Sequence, residues 1–186
     1  MNDRQLLIDS VWLQNAANIA KLSKDKNTQI GSVILNSKNR VLGTGYNGSI
    51  QGIPDHRIPH SRYVVTLHYT LDNNIVEVKS NKYPFMVHSE RNAIEDCARP
   101  SELNGATIYV TAMPCKDCAW NIVRHKIKRV VIADIVSNDK GSSVNDDYDL
   151  VLFMFAEGNV DVWIGNKQLN LTAILKFPDF SHIIKI

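Results

Sequence analysis

From residue 88 onward, segments with helical periodicity alternate with short runs of β-branched residues. The pattern predicts helices over 88–98, 115–125 and 148–156, and strands over 107–111, 129–133 and 160–164. Strands that alternate with helices form parallel pairs, because each helix crosses one face of the sheet before the next strand begins. The second half of the chain is therefore predicted to build a sheet covered by helices.

The first part of the chain adds one helix and one hairpin to this arrangement. Apolar residues over 6–22 recur at helical spacing. Two β-rich runs follow over 30–35 and 41–45, and the polar turn 36–39 separates them. We therefore predict an α/β fold, a three-layer sandwich in which helices flank a mixed sheet of about five strands.

Residues 46–87 interrupt the alternation. This segment contains three of the six prolines, three histidines and one weak strand candidate near residues 63–67. We predict a long insertion, which in a compact domain is usually functional, although a surface loop without a role is the alternative. The predicted organisation is one domain over 1–165 that includes this insertion, followed by a C-terminal extension over 166–186.

The charge balance limits the binding partners. Lys and Arg total 21, Asp and Glu total 19, and the formal net charge is +2. Proteins dedicated to duplex DNA usually carry a strong basic excess, so no polymeric nucleic acid is expected as a partner. The dense basic cluster Lys126, Lys128 and Arg129 is explained by an exposed helix end. A small anionic substrate needs only one or two basic groups and is compatible with this balance.

We predict no targeting or membrane segment in this chain. The first residues are polar, Asp9 interrupts the apolar residues that follow, and no apolar run approaches the ~18 residues of a membrane span. Three cysteines cannot complete a disulfide framework. We therefore expect no membrane partner and a cytoplasmic location, where thiols stay reduced.

Two predicted helix starts carry side chains that bind transition metals. His88 opens one helix, and Cys115 and Cys118 lie at the start of another. One nitrogen donor and two sulfur donors suit zinc in tetrahedral geometry, and three protein ligands leave a fourth position for water. A helix start also stabilises thiolates. This donor set predicts a catalytic zinc site.

Glu90 lies two residues after His88, where its carboxylate can face the metal without binding it. A zinc-bound water ionises near neutral pH, and a carboxylate beside it can take its proton and deliver it to a substrate. Taken alone, the Cys-x-x-Cys pair is equally compatible with a structural zinc or a redox site, and His-x-Glu alone indicates nothing. Both motifs in this order match the signature of zinc deaminases.

Together with other short motifs, this signature resembles the cytidine and deoxycytidylate deaminase superfamily, and within it the deoxycytidylate deaminases of phages and eukaryotes. The resemblance covers residues 10–165 and includes motifs over 23–25, 29–31, 45–49, 82–84 and 92–94. The stretch Gly45-Tyr46-Asn47-Gly48 and the insertion after it discriminate most, since short-loop cytidine deaminases lack the insertion. The resemblance implies a cytidine deaminase-like fold and zinc-dependent hydrolysis of dCMP to dUMP and ammonia.

The resemblance also implies roles for individual residues. His88, Cys115 and Cys118 are expected to bind one catalytic zinc ion. Glu90 is expected to protonate N3 of cytosine and then the leaving amine, after water activated by zinc attacks C4. Asn47 is expected to contact the sugar or the edge of the base.

Two further positions are assigned to the substrate. Lys24 is a candidate for the 5′-phosphate. Ser89, which stands where the family usually has alanine, is placed with the substrate-binding residues; we expect it to be tolerated, because serine is only slightly larger. Arg91 replaces a usual leucine, and a subunit contact or a nearby anion are the two alternatives for it.

Extra metal ligands are not expected. Some phage relatives carry a second, structural zinc ion, but the corresponding region here has no cysteine. His56 and His60 are separated by Pro59, which disfavours a shared helical turn. Cys97 is expected in the core.

The resemblance further implies control by nucleoside triphosphates. Activation by dCTP and inhibition by dTTP, both with Mg²⁺, are expected in a homo-oligomer, either a hexamer or a dimer, in the host cytoplasm if the chain is phage-encoded. The effectors are expected near Gly45, Tyr46, Asn47 and Gly48, where glycine lets backbone approach phosphates closely and the tyrosine ring can pack on a base. The alternative is that this turn only shapes the active-site wall.

Two other functions compete with a nucleotide deaminase. A deaminase of tRNA or single-stranded DNA should carry a basic, aromatic-lined channel, which the net charge of +2 disfavours. A non-catalytic zinc module has no need of the carboxylate of Glu90 beside the metal.

Overall fold

The computed structural model describes residues 3–133, 144–165 and 167–171. Four α-helices are present in these residues: α1 Asp3–Ala20, α2 Ser89–Glu95, α3 Lys116–Arg124 and α4 Val144–Glu157. The strands are β1 Gly31–Leu35, β2 Val41–Tyr46, β3 Gly48–Ser49, β4 Val65–Leu71, β5 Asn74–Ser80, β6 Met86–Val87, β7 Thr107–Val110, β8 Arg129–Ile132, β9 Asp161–Ile164 and β10 Lys167–Gln168. Among the described helices, none is long and apolar enough to cross a membrane.

One mixed sheet of six strands forms the middle layer, in the order β10-β9-β8-β7-β1-β2. The strands β7, β8 and β9 run parallel to one another, whereas β1 is antiparallel to both β2 and β7. The predicted mixed sheet is confirmed. Its sixth member is the two-residue edge strand β10, which pairs antiparallel with β9 and which the sequence patterns do not predict.

Helices cover both faces of the sheet, which confirms the three-layer sandwich. Alternate residues of the fully buried strand β1 point to opposite sides. Val33 and Leu35 pack with Ala16 of α1. Ile34 packs in a second core cluster that includes side chains of α2, α3 and α4. A strand buried on both faces is rich in apolar residues, and for this reason the sequence of 30–35 predicts a strand.

Helix α2 lies directly on β2 because β2 carries two glycines. A methyl group added at Gly43 would lie closer than 3.0 Å to the carbonyl oxygen of Ala93, and one at Gly45 would lie equally close to that of Ser89. Neither carbonyl group can yield without a shift of the helix. The Asn92 amide also donates to the Tyr46 carbonyl at 2.8 Å. The first turn of α2 is thereby fixed against the sheet.

A buried polar cluster ties α1 to the sheet on the other face. The Asp9 carboxylate accepts hydrogen bonds from both terminal nitrogens of Arg129, at 2.7 and 2.6 Å, and from the Tyr109 hydroxyl at 2.9 Å. The Arg129 guanidinium also stacks on the Trp163 ring, 4.9 Å from its centroid. Helix α1 is therefore bonded to side chains of β7 and β8.

The insertion contains more regular structure than the sequence patterns predict. The weak strand candidate at 63–67 lies at the start of β4, which continues to Leu71 and pairs in full with β5. Asp72 and Asn73 connect the two strands with positive φ at both positions, typical of a two-residue hairpin turn. The strands β3 and β6 pair where the insertion leaves and rejoins the core.

The start of one helix differs from the prediction by four residues. Helix α4 begins at Val144 and not at 148. The predicted loop 134–147 otherwise lies outside the described residues, as does most of the predicted C-terminal extension, which is described only at 167–171.

Candidate active site

The three predicted metal ligands meet at the starts of two helices. His88 is the residue that precedes α2, and Cys115 is the residue that precedes α3. The His88 Nδ1 atom lies 3.3 Å from the Cys115 sulfur and 3.5 Å from the Cys118 sulfur. One ligand atom from each residue lies within 4.8 Å of the other two. In the part of the chain that the structure describes, no other group of three such donors occurs.

Hydrogen bonds between the three side chains couple their protonation. Hydrogen bonds with Cys118 and His88 lower the pKa of the Cys115 thiol to about 3, although burial opposes this. The hydrogen bond to Cys115 raises the pKa of His88 to about 9. The pKa of the Cys118 thiol is raised above its ordinary value, mainly by its hydrogen bond with Cys115 and to a smaller extent by burial. Cys115 is therefore a thiolate at neutral pH, whereas His88 and Cys118 hold protons that a bound metal ion would displace.

The chemistry of the donor set fits zinc. One imidazole nitrogen and two sulfurs leave a fourth position of a tetrahedral ion open. Cys118 is buried and Cys115 half-buried, whereas His88 is exposed. His88 and Cys115 also line a cavity of about 410 Å³, so the open position of a bound ion would be reachable by a small molecule.

Two acidic residues line this cavity, Asp25 and Glu90, and Glu90 lies closer in sequence to the zinc donors. Its side chain is 3% exposed and lies in the first turn of α2. Burial raises the pKa of its carboxyl group, although hydrogen bonds from its own backbone and from Ser89 and the charge of His88 oppose this. A buried carboxylate with a raised pKa suits a group that must both accept and release a proton.

Two cations line the same cavity, and only one of them is already neutralised. The Lys82 ammonium lies 2.7 Å from the Asp25 carboxylate, and both side chains are 9% exposed. Arg62 is exposed and has no carboxylate partner within the described residues. The apolar lining residues include Ile30, Met86 and Met113. The cavity thus offers a cation and apolar surface alongside the zinc donors.

Asn47 and Ser89, both assigned to the substrate, border this cavity. The Asn47 side chain accepts a hydrogen bond from the Ile30 N–H at 2.8 Å and donates one to the Thr28 carbonyl at 2.9 Å. It therefore holds the segment that forms one cavity wall. The Ser89 hydroxyl is fully buried and bonded to other side chains.

Lys24 lies apart from the zinc donors. Its ammonium is 2.7 Å from the Asp55 carboxylate, and it lines a neighbouring cavity of about 420 Å³. The two cavities share four lining residues: Asp25, Asn27, Lys82 and Met86.

The predicted effector stretch is divided between these cavities. Asn47 lines the first cavity and Gly48 lines the second, while Gly45 and Tyr46 line neither. The close approach at Gly45 is to α2 and not to an open space.

Three charged residues of the cavity have no role that the sequence patterns predict: Arg62, Lys82 and Asp25. Arg62 and Lys82 belong to the insertion, and Asp25 precedes β1. Asp25 and Lys82 lie in two of the motifs that carry the family resemblance, 23–25 and 82–84, whereas the signal for Arg62 was only a charged residue in a proline-rich insertion. These signals do not say which of these charges pair with each other.

A family model described as the cytidine and deoxycytidylate deaminase zinc-binding region matches residues 8–134. The deoxycytidylate deaminase of Homo sapiens is 37% identical over 112 residues, which are 60% of this chain and 56% of that protein. The deoxycytidylate deaminase of Enterobacteria phage T4 is 30% identical over 155 residues, 70% of this chain and 80% of that protein. The match thus spans about half the length of the human relative.

The crystal structure of the dCMP deaminase from the cyanophage S-TIM5 is similar in fold. It superposes with a TM-score of 0.58 at 20% identity and covers 88% of this chain and 99% of that chain. At this identity the likeness concerns the arrangement of helices and strands.

Proposed function

The chain belongs to the cytidine and deoxycytidylate deaminase family, and from this we propose that it catalyses the hydrolysis of dCMP to dUMP and ammonia. The observation that carries the proposal is the composition of one cavity wall. The zinc donors His88 and Cys115, the buried carboxylate of Glu90 and the cation of Arg62 all line the same space of about 410 Å³. A deaminase of a nucleoside monophosphate needs each of these groups.

His88, Cys115 and Cys118 would hold one zinc ion, in accordance with the close approach of their donor atoms and the thiolate character of Cys115. When bound, zinc supplies the Lewis acidity that makes water a nucleophile near neutral pH. Oxygen from water is added at C4 of cytosine, the C4–N4 bond breaks, and ammonia leaves. Glu90 takes one proton of the water and places it on N3. It then takes the second proton from the hydroxyl group formed at C4 and places it on N4, so that ammonia leaves and the carboxylate is regenerated.

The 5′-phosphate is assigned to Arg62. Of the two cations that line the cavity, Lys82 is already paired with Asp25, whereas Arg62 has no acidic partner within the described residues. A guanidinium binds phosphate through two parallel hydrogen bonds. Lys24, the candidate from sequence, pairs with Asp55 and borders the other cavity, so it is the weaker candidate.

Asn47 is proposed to contact the deoxyribose. One of its two amide hydrogens goes to the Thr28 carbonyl, and among the described residues no acceptor is found for the second. Its position on the cavity wall supports this contact.

Regulation by dCTP and dTTP with Mg²⁺ is proposed at the neighbouring cavity. Lys24, Lys26 and His60 line it together with Gly48 and Ser49, so that basic side chains and accessible backbone are available to a polyphosphate. An effector there could bias the substrate site through the shared wall, which contains the Lys82–Asp25 ion pair. Coupling requires that each triphosphate bind one of two states more tightly.

We further propose a homo-oligomer, a hexamer or a dimer, in the cytoplasm. A reducing compartment supports this location, because it keeps Cys115 and Cys118 as free thiols that can bind metal. Light scattering after size-exclusion chromatography measures the oligomeric state directly.

The test of the function is a comparison of substrates at equal concentration. The zinc-loaded protein is incubated with dCMP, deoxycytidine and a single-stranded oligodeoxynucleotide, and the loss of cytosine absorbance is followed. We expect dCMP to react fastest by at least about tenfold, since a charged hydrogen bond contributes about 1.5–3 kcal/mol. Preference for the oligonucleotide would point to a polynucleotide deaminase, and no reaction with any of the three would refute the proposal.

A further inference from the structure

Two buried hydroxyl groups, those of Ser32 and Ser89, connect the central sheet to the carboxylate of Glu90 through hydrogen bonds. The Ser32 and Ser89 hydroxyl oxygens lie 2.7 Å apart, and the Ser89 hydroxyl donates to Glu90 Oε2 at 2.9 Å. Both serines are 0% exposed and Glu90 is 3% exposed. These hydroxyl groups are therefore shielded from solvent, and Ser89 and Glu90 belong to the wall of the cavity that the zinc donors line.

The direction of the hydrogen bonds follows from proton counting. An ionised carboxylate only accepts, and a serine hydroxyl has one proton. Because the Ser89 proton goes to Glu90, the contact between the two serines is satisfied only when Ser32 donates to Ser89. Ser32 on β1 thus donates to Ser89, and Ser89 donates to the Glu90 carboxylate, which is the final acceptor.

Ser32 is held rigidly by the sheet. Ser32 lies in β1, and its backbone is paired with Gly45 of β2 on one side and Val110 of β7 on the other. Ser89 is fixed independently, because its carbonyl oxygen lies against Gly45 and leaves no space for a methyl group. The two hydroxyls therefore have little freedom relative to the sheet.

We infer that Ser89, itself oriented by Ser32, is a positioning residue that holds the Glu90 carboxylate in the conformation required for proton transfer. The inference rests on the proposed function, in which Glu90 carries the proton. It assigns the Ser89 hydroxyl to the protein and not to the substrate. A displacement of about 1 Å in a catalytic group can reduce the rate about 100-fold, so the loss of one hydroxyl can have a large effect.

The test is a double-mutant cycle between Ser89→Ala and Glu90→Gln. For dCMP, we expect Ser89→Ala to lower kcat about 10- to 100-fold while KM changes less than about twofold, because the substrate contacts remain. Zinc content should stay at the wild-type value. In the Glu90→Gln background the same substitution should change the residual kcat less than about twofold, since its effect acts through the missing carboxylate. Ser32→Ala should lower kcat less than Ser89→Ala, because the bond to Glu90 remains.

Tyr109→Phe is the matched control. It also removes a buried hydroxyl that donates to a carboxylate, that of Asp9, but it does so on the opposite face of the sheet. We expect it to lower the melting temperature and to leave kcat unchanged. An equal loss of kcat from Ser89→Ala in both backgrounds would indicate a general structural role and overturn the inference, as would an unchanged kcat in the single variant.

A crystal structure of the Ser89→Ala protein keeps the inference testable without turnover. We expect the Glu90 side chain to leave its wild-type rotamer or to occupy more than one. A single, unmoved carboxylate would overturn the positioning role even if dCMP were not the substrate. Conversely, a wild-type protein inactive on dCMP together with a displaced Glu90 in the variant would refute only the proposed function.

Discussion

The carboxylate of Asp9 and the guanidinium of Arg129 form a two-pronged ion pair between α1 and β8, with N–O distances of 2.7 and 2.6 Å. Asp9 is 2% exposed. Although burial alone would raise the pKa of Asp9, hydrogen bonds from Arg129, Gln5 and Tyr109 outweigh it and hold the pKa below its ordinary value. The pair therefore links the stability of the α1 layer to pH.

The direction in which stability changes with pH follows from the proton affinity of Asp9 in the folded and unfolded states. The unfolded chain protonates Asp9 near a pKa of about 3.9, whereas the folded protein does so only at lower pH. The stabilisation is fully present above the unfolded value and is lost as the pH falls through the folded value. We expect the free energy of unfolding, measured by urea denaturation, to decrease below about pH 4, and Asp9→Asn to reduce this dependence.

Asp9→Asn should also destabilise the protein at neutral pH. Removing one member of a buried ion pair leaves the other charge uncompensated, which costs about 3–5 kcal/mol. Glu95→Gln is the control, because it removes a carboxylate from the exposed pair with Arg91 and should have no measurable effect. If both variants unfolded at the same urea concentration, the assigned importance of the buried pair would be wrong.

A second prediction concerns the contact between β2 and α2. Gly45→Ala would place a methyl group closer than 3.0 Å to the Ser89 carbonyl oxygen, which forces α2 away from the sheet. We expect a loss of about 1–3 kcal/mol in stability, typical of overpacking, and a lower kcat because Glu90 lies in the same helix turn. Gly48→Ala is the control, since its nearest neighbour is the Tyr46 ring at 3.9 Å. Equal melting temperatures for both variants would show that α2 does not depend on the missing side chain at Gly45.

Much of the fold could be predicted from local patterns. The strands 30–35, 107–111 and 129–133 are largely buried on both faces and are therefore rich in apolar residues. His88, Cys115 and Cys118 are predictable as ligands because an imidazole and two thiols at helix starts form a donor set typical of zinc. Their approach within 4.8 Å agrees with that interpretation.

The remaining features depend on contacts that no local pattern reveals. Both faces of the β4–β5 hairpin are largely exposed, so its apolar alternation is weak, and the Asp72–Asn73 turn was its clearest signal. The Lys82–Asp25 pair joins residues 57 positions apart. No local pattern indicates that Gly45 packs against α2, because glycine in a turn-like motif suggests conformational freedom and not a close approach of two backbones.

A third prediction concerns the metal. Cys115→Ser and Cys118→Ser should each lose most of the bound zinc, because each removes one of three donors, while Cys97→Ala should retain it. Cys97 is buried in the core cluster behind α2 and does not belong to the donor group. Zinc is measured by inductively coupled plasma mass spectrometry on folded protein. Loss of zinc from a folded Cys97→Ala protein would mean that the ligand set is incomplete.

The last prediction separates the two candidates for the substrate phosphate. Arg62 lines the cavity of the zinc donors without an acidic partner in the described residues, whereas Lys24 lies in the neighbouring cavity, 2.7 Å from Asp55. Arg62→Gln should raise KM for dCMP about 10- to 100-fold, the equivalent of one charged hydrogen bond, and should leave the slow reaction of deoxycytidine unchanged because that nucleoside has no phosphate. Lys24→Gln should change KM for dCMP less than about twofold and weaken the response to dCTP instead. Initial rates over a range of dCMP concentrations, with and without dCTP, measure both effects. The reverse result, with Lys24→Gln impairing dCMP binding and Arg62→Gln leaving it intact, would move the phosphate site to the neighbouring cavity that Lys24 lines.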